Sequence, residues 1–316
     1  MAPELITSKN NQRVKNIRKL RSRSERDRGG TFLVEGIRQV SEAIKSDAGI
    51  VELLVAPDLL RSEFALDLVS VEEDRGTETL YLAPDVFQSI SERDRPQGLA
   101  AVVRQRWTSL EDLAVKSGSL WVALESVADP GNLGTILRTA DAVGADGVIL
   151  LGQSTDPFDP AAVRASMGAV FTLTIARATG AELIAWARKR HVRLAGTSPE
   201  AETDYQAVDY QSPLALLMGS ERQGLSDELL RACDSLVRLP MAGRVDSLNL
   251  AVATGVVLYE IFNQRRSAER HLSSDQHGRS RSRRRATSDR GVRSQSGSNA
   301  ARGRAPRRTR NDQKQQ

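Results

Sequence analysis

From residue 31 onward, short runs dense in Val, Leu and Ile alternate with stretches whose apolar residues recur every three or four positions. The first rhythm is that of buried strands, the second that of helices packed on one side. "TFLVEGIRQVSEAIKSDAGIVELLVAP" (31–57) reads as strand, helix, strand, and "TLYLAP" and "GLAAVVRQ" add two strands. Upstream, "NNQRVKNIRKLRSRSERDRGG" (10–30) predicts one basic helix. Val14, Ile17 and Leu20 give it a short apolar face, and Gly29-Gly30 stops it. A polar connection, 106–119, precedes a second unit. There the pattern predicts strands at 120–127, 146–152, 192–198, 214–219 and 236–241, with helices at 133–143 and 181–190. Strands alternating with helices argue for a parallel α/β sheet.

The last patterned segment is "RVDSLNLAVATGVVLYEI" (244–261). It is apolar on all sides from Leu248 onward, which predicts a buried helix. Asp246, Ser247 and Asn249 crowd its start. Either Asp246 or Ser247 caps the helix, or Ser247 and Asn249 face a site.

Composition narrows the classes. A single cysteine, Cys233, excludes an internal disulfide and fits a reducing, cytoplasmic setting. Three distant histidines offer no zinc-like spacing, so no metal is expected. No run approaches the roughly 20 apolar residues of a membrane span, and the first residues lack the apolar core of a signal peptide. The net charge of +5 is unevenly spread. Residues 265–316 carry 16 Lys+Arg against 4 Asp+Glu, and residues 9–28 carry 9 against 2, whereas residues 1–264 as a whole sum to −7. Basic ends attract polyanions, nucleic acid first among them. The 265–316 segment has almost no large apolar residue and is expected to be disordered.

Three strand-end loops are unusual, and ligands of open α/β sheets bind outside the carboxyl ends of strands. In "ESVADPGNLGTILR", Pro130 and Gly131 force a turn and Asn132 is placed as helix N-cap. Leu133, Ile136, Leu137, Ala140 and Val143 form a buried stripe, with Arg138 on the opposite face. On spacing alone Arg138 is a solvated helix arginine. In "LLMGSERQGLSDE", Gly219 and Gly224 bracket a loop, with Ser226 as cap of a following helix. Leu225-Ser226 replace the Lys-Ser/Thr of a phosphate loop, which disfavours a nucleoside triphosphate site. "RLPMAGRVDSLNLAV" is the third. No G-x-G-x-x-G occurs, so an ordinary dinucleotide site is absent from the sequence. Together the three loops could build one pocket of backbone groups and apolar walls.

These stretches, 129–148, 216–226 and 239–260, resemble the three motifs of the SpoU/TrmH family of RNA ribose 2′-O-methyltransferases, within the SPOUT superfamily. The segment "ITSKNNQRVKNIRKL…FLVEGIRQVSEAI" is similar to the L30e-like substrate-binding domain of its two-domain members, which points to large-subunit (23S) ribosomal RNA over transfer RNA. The implied organisation is an L30e-like RNA-binding domain (1–105), a linker (106–119), a methyltransferase domain (120–264) and a basic tail (265–316). The resemblance implies a trefoil-knotted parallel α/β fold, S-adenosylmethionine as cofactor, and a homodimer whose active site uses both protomers. It implies catalytic roles for Arg138, Asn132, Glu221, Ser247 and Asn249. Cofactor contacts would come from Thr197, Leu217, Met218, Gly219, Glu221, Gly224, Leu239, Met241 and Leu248. Arg138 would meet the RNA phosphate and help deprotonate the 2′-hydroxyl, as a base or as a charged clamp; arginine is almost always protonated, with a pKa above about 12. A transfer-RNA methyltransferase and a non-catalytic RNA-binding assembly factor of the same fold are the alternatives.

Overall fold

The computed structural model describes residues 4–267. Two sheets lie within one compact unit that ends at Gln264. The first sheet comes from β1 (Leu5–Ile6), β2 (Thr31–Glu35), β3 (Ile50–Val55), β4 (Glu78–Leu82) and β5 (Leu99–Arg104), in the order β1-β4-β3-β5-β2. It is mixed: β3 runs parallel to β4 and antiparallel to β5. On one face Val14, Ile17, Phe87 and Ile90, from α1 (Gln12–Lys19) and α5 (Pro84–Ile90), close over Leu54, Leu82 and Val102. On the other, Val40 and Ala43 of α3 (Ile37–Lys45) and Ala65 and Val69 of α4 (Glu63–Asp74) join Leu53, Val55 and Ala101.

The single basic helix expected over 10–30 is broken. α1 stops at Lys19, and α2 (Arg23–Gly29) starts after Leu20, Arg21 and Ser22. A helix end leaves carbonyls without partners. Arg26 supplies them: its guanidinium donates to the carbonyls of Leu20 (2.9 Å) and Arg21 (2.8 Å). The same buried group donates to Asp156 Oδ2 at 2.8 Å and lies 3.4 Å from Asp159 Oδ2. A side chain that spacing would place in solvent therefore ties the two halves of the unit together.

The second sheet is all parallel, with β6 (Leu120–Glu125), β7 (Gly147–Leu151), β8 (Thr174–Ala178), β9 (Arg193–Thr197), β10 (Thr203–Asp204), β11 (Leu214–Met218) and β12 (Ser235–Arg238) in the order β10-β12-β9-β11-β6-β7-β8. Fully buried runs such as "LWVAL" and "LALLM" are what a parallel sheet covered on both faces requires. α6 (Pro130–Ala142), α7 (Pro160–Ser166) and α8 (Ala169–Thr172) lie over one face. Leu183, Trp186 and Ala187 of α9 (Gly180–Arg190) and Leu229 of α10 (Asp227–Ala232) cover the other. A last helix, α11, spans 250–267 and sends Leu250, Val257, Leu258 and Ile261 into the cluster that holds the α6 stripe. It is not buried all round: Val252 is 52% and Tyr259 48% exposed. No helix among the described residues is long and apolar enough to cross a membrane. The tail beyond 267 lies outside the described residues.

α6 and α7 pack closely because Gly134 has no side chain; a Cβ there would sit 2.4 Å from the Ala162 carbonyl oxygen. Asp159, which Arg26 faces, caps α7 by accepting from the Ala161 N–H. Removing one partner of a buried ion pair costs about 3–5 kcal/mol. Arg26→Ala should lower folding stability by that order, measured as the shift in guanidinium unfolding free energy.

Candidate functional site: a cavity at the strand ends

The site starts at the carboxyl ends of β9, β11 and β12, which are neighbours in the sheet or one strand apart. β12 stops at Arg238, so Leu239, Pro240 and Met241, expected as strand, leave the sheet and form a wall. After β11 the chain folds into a tight loop. Ser220 and Gly224 exchange backbone hydrogen bonds at 3.0 Å, and Gly224 adopts φ +68°. Gly219 must be glycine: a Cβ would lie 2.0 Å from the Gly224 carbonyl carbon. Glu125, at the end of β6, accepts the Ser226 N–H at 2.7 Å and fixes where the loop ends. Ser226 occupies the cap position of α10, but its hydroxyl makes no capping bond.

These loops enclose about 490 Å³, within the roughly 300–1,000 Å³ of a small-molecule site. Thr197, Met218, Gly219, Glu221, Gly224, Leu239, Met241, Ser247 and Leu248 all line it. Leu217 does not; it points to the other face of the sheet, into the core with Leu183 and Leu229. Alternation along a strand sends neighbours to opposite faces, so Met218 and Leu217 cannot both face the cavity. Glu200, Asp227 and Asp246, which the sequence reading did not single out as site residues, put three carboxylates on the lining. Asp227 and Asp246 fall within the loop stretches, Asp246 as a cap candidate, whereas no periodicity or loop motif marks Glu200.

Asn132 is not the cap of α6. Asp129 is: its side chain accepts the Asn132 N–H at 2.6 Å. Asn132 therefore stands in the first turn with its amide free to reach outward. Its Nδ2 donates to Glu221 Oε1, and its Oδ1 accepts from Asn249 Nδ2 at 3.0 Å. The cap of α11 is likewise neither Asp246 nor Ser247. It is Asn249, whose Oδ1 accepts from the N–H groups of Ala251 (2.9 Å) and Val252 (3.3 Å). One line of hydrogen bonds thus runs from the α11 N-terminus through Asn249 and Asn132 to the carboxylate of Glu221. The structure joins these three residues beside the cavity. Arg138 is elsewhere: it is exposed on α6, does not line the cavity, and makes no hydrogen bond or ion pair among the described residues.

Cys233, just after α10, is half-buried, and its Sγ lies where a Cβ on Gly196 would come within 2.6 Å. Burial, then the nearby Asp234, pushes its thiol pKa up to about 12.

A parallel α/β domain whose pocket is made by loops at the strand carboxyl ends, joined to a basic module, defines a two-part ligand-binding protein. Comparison with known proteins makes it specific. The family described as SpoU rRNA Methylase matches residues 119–259, and the MRM3-like substrate binding domain matches residues 11–101. The chain is 34% identical over 271 residues to the 23S rRNA (uridine(2479)-2′-O)-methyltransferase of Streptomyces viridochromogenes, covering 84% of this chain and 93% of that protein. It is 33% identical to the 23S rRNA (guanosine(2553)-2′-O)-methyltransferase RlmP of Bacillus subtilis, covering 81% and 98%. Among solved structures, the AdoMet-bound rRNA methyltransferase from Sinorhizobium meliloti superposes with a TM-score of 0.76 at 42% identity, over 82% of this chain and 97% of that one. The protein belongs to the SpoU rRNA methylase family.

Two outcomes test this geometry. Asn249→Ala should cost about 0.5–2 kcal/mol of stability through the lost cap, whereas Asn249→Asp should keep most of it; thermal unfolding of the pair checks this. Cys233 should react with iodoacetamide at pH 8 at least ~100-fold more slowly than a free cysteine, whose pKa is about 8.5, because its raised pKa leaves little thiolate there.

Proposed function

We propose that the protein transfers the methyl group of S-adenosylmethionine to a ribose 2′-hydroxyl of large-subunit ribosomal RNA. The observation that carries this reading is the Glu221–Asn132–Asn249 line beside the strand-end cavity, in a chain of this family. The cavity fits the cofactor in size and chemistry. Its apolar walls, from Met218, Leu239, Met241 and Leu248, suit an adenine ring. Its carboxylates suit ribose hydroxyls and an ammonium group, and its strand-end loops offer backbone donors and acceptors. When bound, the cofactor supplies a methyl carbon already activated by a sulfonium, so the chain's task is to deliver the nucleophile.

Arg138 is the cation for that task. It clamps the phosphate beside the target ribose and stabilises negative charge developing on the 2′-oxygen. Arginine keeps its charge in proteins and forms paired hydrogen bonds to phosphate, so the clamp suits it better than the role of base. Asn249 fixes the Asn132 amide, and Asn132 in turn holds Glu221 at the cavity edge. Ser247, exposed on the lining, would meet the substrate. Holding the oxygen in line with the methyl carbon supplies much of the acceleration.

Within one chain Arg138 does not line the cavity, which favours a homodimer in which each protomer completes the other's site. The neighbouring surface supports this. Val252 and Tyr259 of α11 are exposed apolar residues, and α11 lies against α6 where Gly255 approaches the Thr139 methyl. We further infer a knotted chain. β11 enters the sheet between β9 and β6, β12 crosses to the far side of β9, and α11 returns to the α6 face. Residues 1–105 would bind RNA and 120–264 carry out transfer, joined by 106–119, in a cytoplasmic enzyme.

The test is transfer from labelled S-adenosylmethionine to total RNA lacking the modification, followed by mapping of the methylated ribose. A single label in 23S RNA supports the reading; label in transfer RNA overturns the substrate, and no label on RNA or ribosomal particles overturns the activity. Arg138→Ala should lower transfer by about 10²–10³-fold, the scale of losing one charge-stabilising group, with cofactor affinity within twofold of the parent by calorimetry.

A further inference from the structure

A second, smaller cavity of about 180 Å³ opens between the two sheets. Its walls come from both sides: Phe32 and Arg104 from the first sheet, Thr174 from the second, Phe158 from the loop before α7, Phe171 from α8, and Arg106 and Thr108 from the connection between the sheets. It adjoins the end of α8 and the start of β8, and in a parallel sheet the strand starts lie opposite the strand ends that form the large cavity. The two sites are therefore distinct.

Its chemistry has three parts. The floor is aromatic: Phe32 stacks on Phe171 with centroids 6.3 Å apart and planes at 21°, and lies 4.7 Å from Phe158. Phe32 and Phe158 are buried, whereas Phe171 is half-buried and presents accessible ring surface. Two cations stand at the mouth. Arg106 is fixed by donating to the Asp47 carbonyl, and the exposed Arg104 side chain makes no hydrogen bond or ion pair among the described residues. Both flank Gly49, at φ +78°, within 3.8 Å of its Cβ direction. Finally, the hydroxyls of Thr108 and Thr174 are half-buried and make no hydrogen bond among the described residues.

An aromatic surface, two free hydroxyls and a pair of guanidiniums are the requirements of one unpaired nucleobase with its flanking phosphates. The volume falls below that of a drug-sized pocket and suits a single planar ring system. We propose that this junction pocket takes an unpaired base of the RNA substrate, stacked on Phe171, with Arg104 and Arg106 on the adjacent phosphates. The proposal rests on the RNA reading above and adds to it a base-binding anchor remote from the methyl-transfer site. Such an anchor spans both halves of the unit, so it would register the RNA against the two together.

The test uses the full chain and a single-stranded ten-nucleotide RNA carrying one 2-aminopurine, whose fluorescence drops on stacking. The parent should quench it on binding. Arg104→Ala, which removes no internal side-chain hydrogen bond or ion pair, should weaken binding at least fivefold and reduce the log–log salt slope by roughly 0.7, one single-strand phosphate contact. Phe171→Leu should remove the quench while leaving the salt slope intact. Binding and quench equal to the parent in both variants would overturn the pocket, even if the parent methylates ribosomal RNA normally. Conversely, a parent that binds and quenches in this variant-sensitive way but transfers no methyl to any RNA would keep the pocket and overturn the activity.

Discussion

One carboxamide joins the parts of the candidate site. Asn132 receives a hydrogen bond from a residue 117 positions later and gives one to a residue 89 positions later. An amide can do both because it carries a donor and an acceptor on one rigid plane. For this it must be free of local duties, and Asp129 relieves it by capping α6. The helix must also sit deep enough to bring the amide to the loops, and Gly134 allows that by letting α7 approach without a Cβ between them. The placement of Glu221 and of the α11 N-terminus follows from these two local choices.

Much of the α/β architecture could be read from pattern. Buried strands such as "LWVALE" and "LALLM" are dense in large aliphatic residues, and the α6 stripe has helical period, so both announce themselves. The errors have specific causes. Asn132 and Asp129 are both competent caps three positions apart, and sequence does not say which one the preceding strand leaves in extended backbone. The same ambiguity moved the α11 cap from Asp246 or Ser247 to Asn249. The break after Lys19 was invisible because its repair comes from Arg26, whose burial depends on Asp156 some 130 residues away. α4, α8 and β8 are short or weakly periodic and take their form from the packing around them.

The candidate site was legible in a different way. Ser247, Asn249 and Glu221 were legible through loop motifs; Asp246 stood in the same stretch but read as a cap, and the carboxylates of Glu200 and Asp227, as exposed acids, carried no pattern of their own. Leu217 was drawn in by its neighbour Met218, and strand alternation alone would have removed it. Arg138 shows the limit of spacing: its position on the exposed face of α6 was readable, and among the described residues it makes no side-chain hydrogen bond or ion pair that would mark it as more than a solvated arginine.

The buried charge at Arg26 also bears on the order in which this protein is made. Its carboxylate partners are encoded far downstream, beyond the whole first sheet and two strands of the second. As the chain leaves the ribosome, the first sheet can complete its own pairing before Asp156 exists, since every strand it needs ends by Arg104. The basic helix pair then waits on an unneutralised guanidinium held in water. Only when residues 156–159 emerge can that group enter the interior, so the seating of α2 against the second half reports that the second half has begun to form.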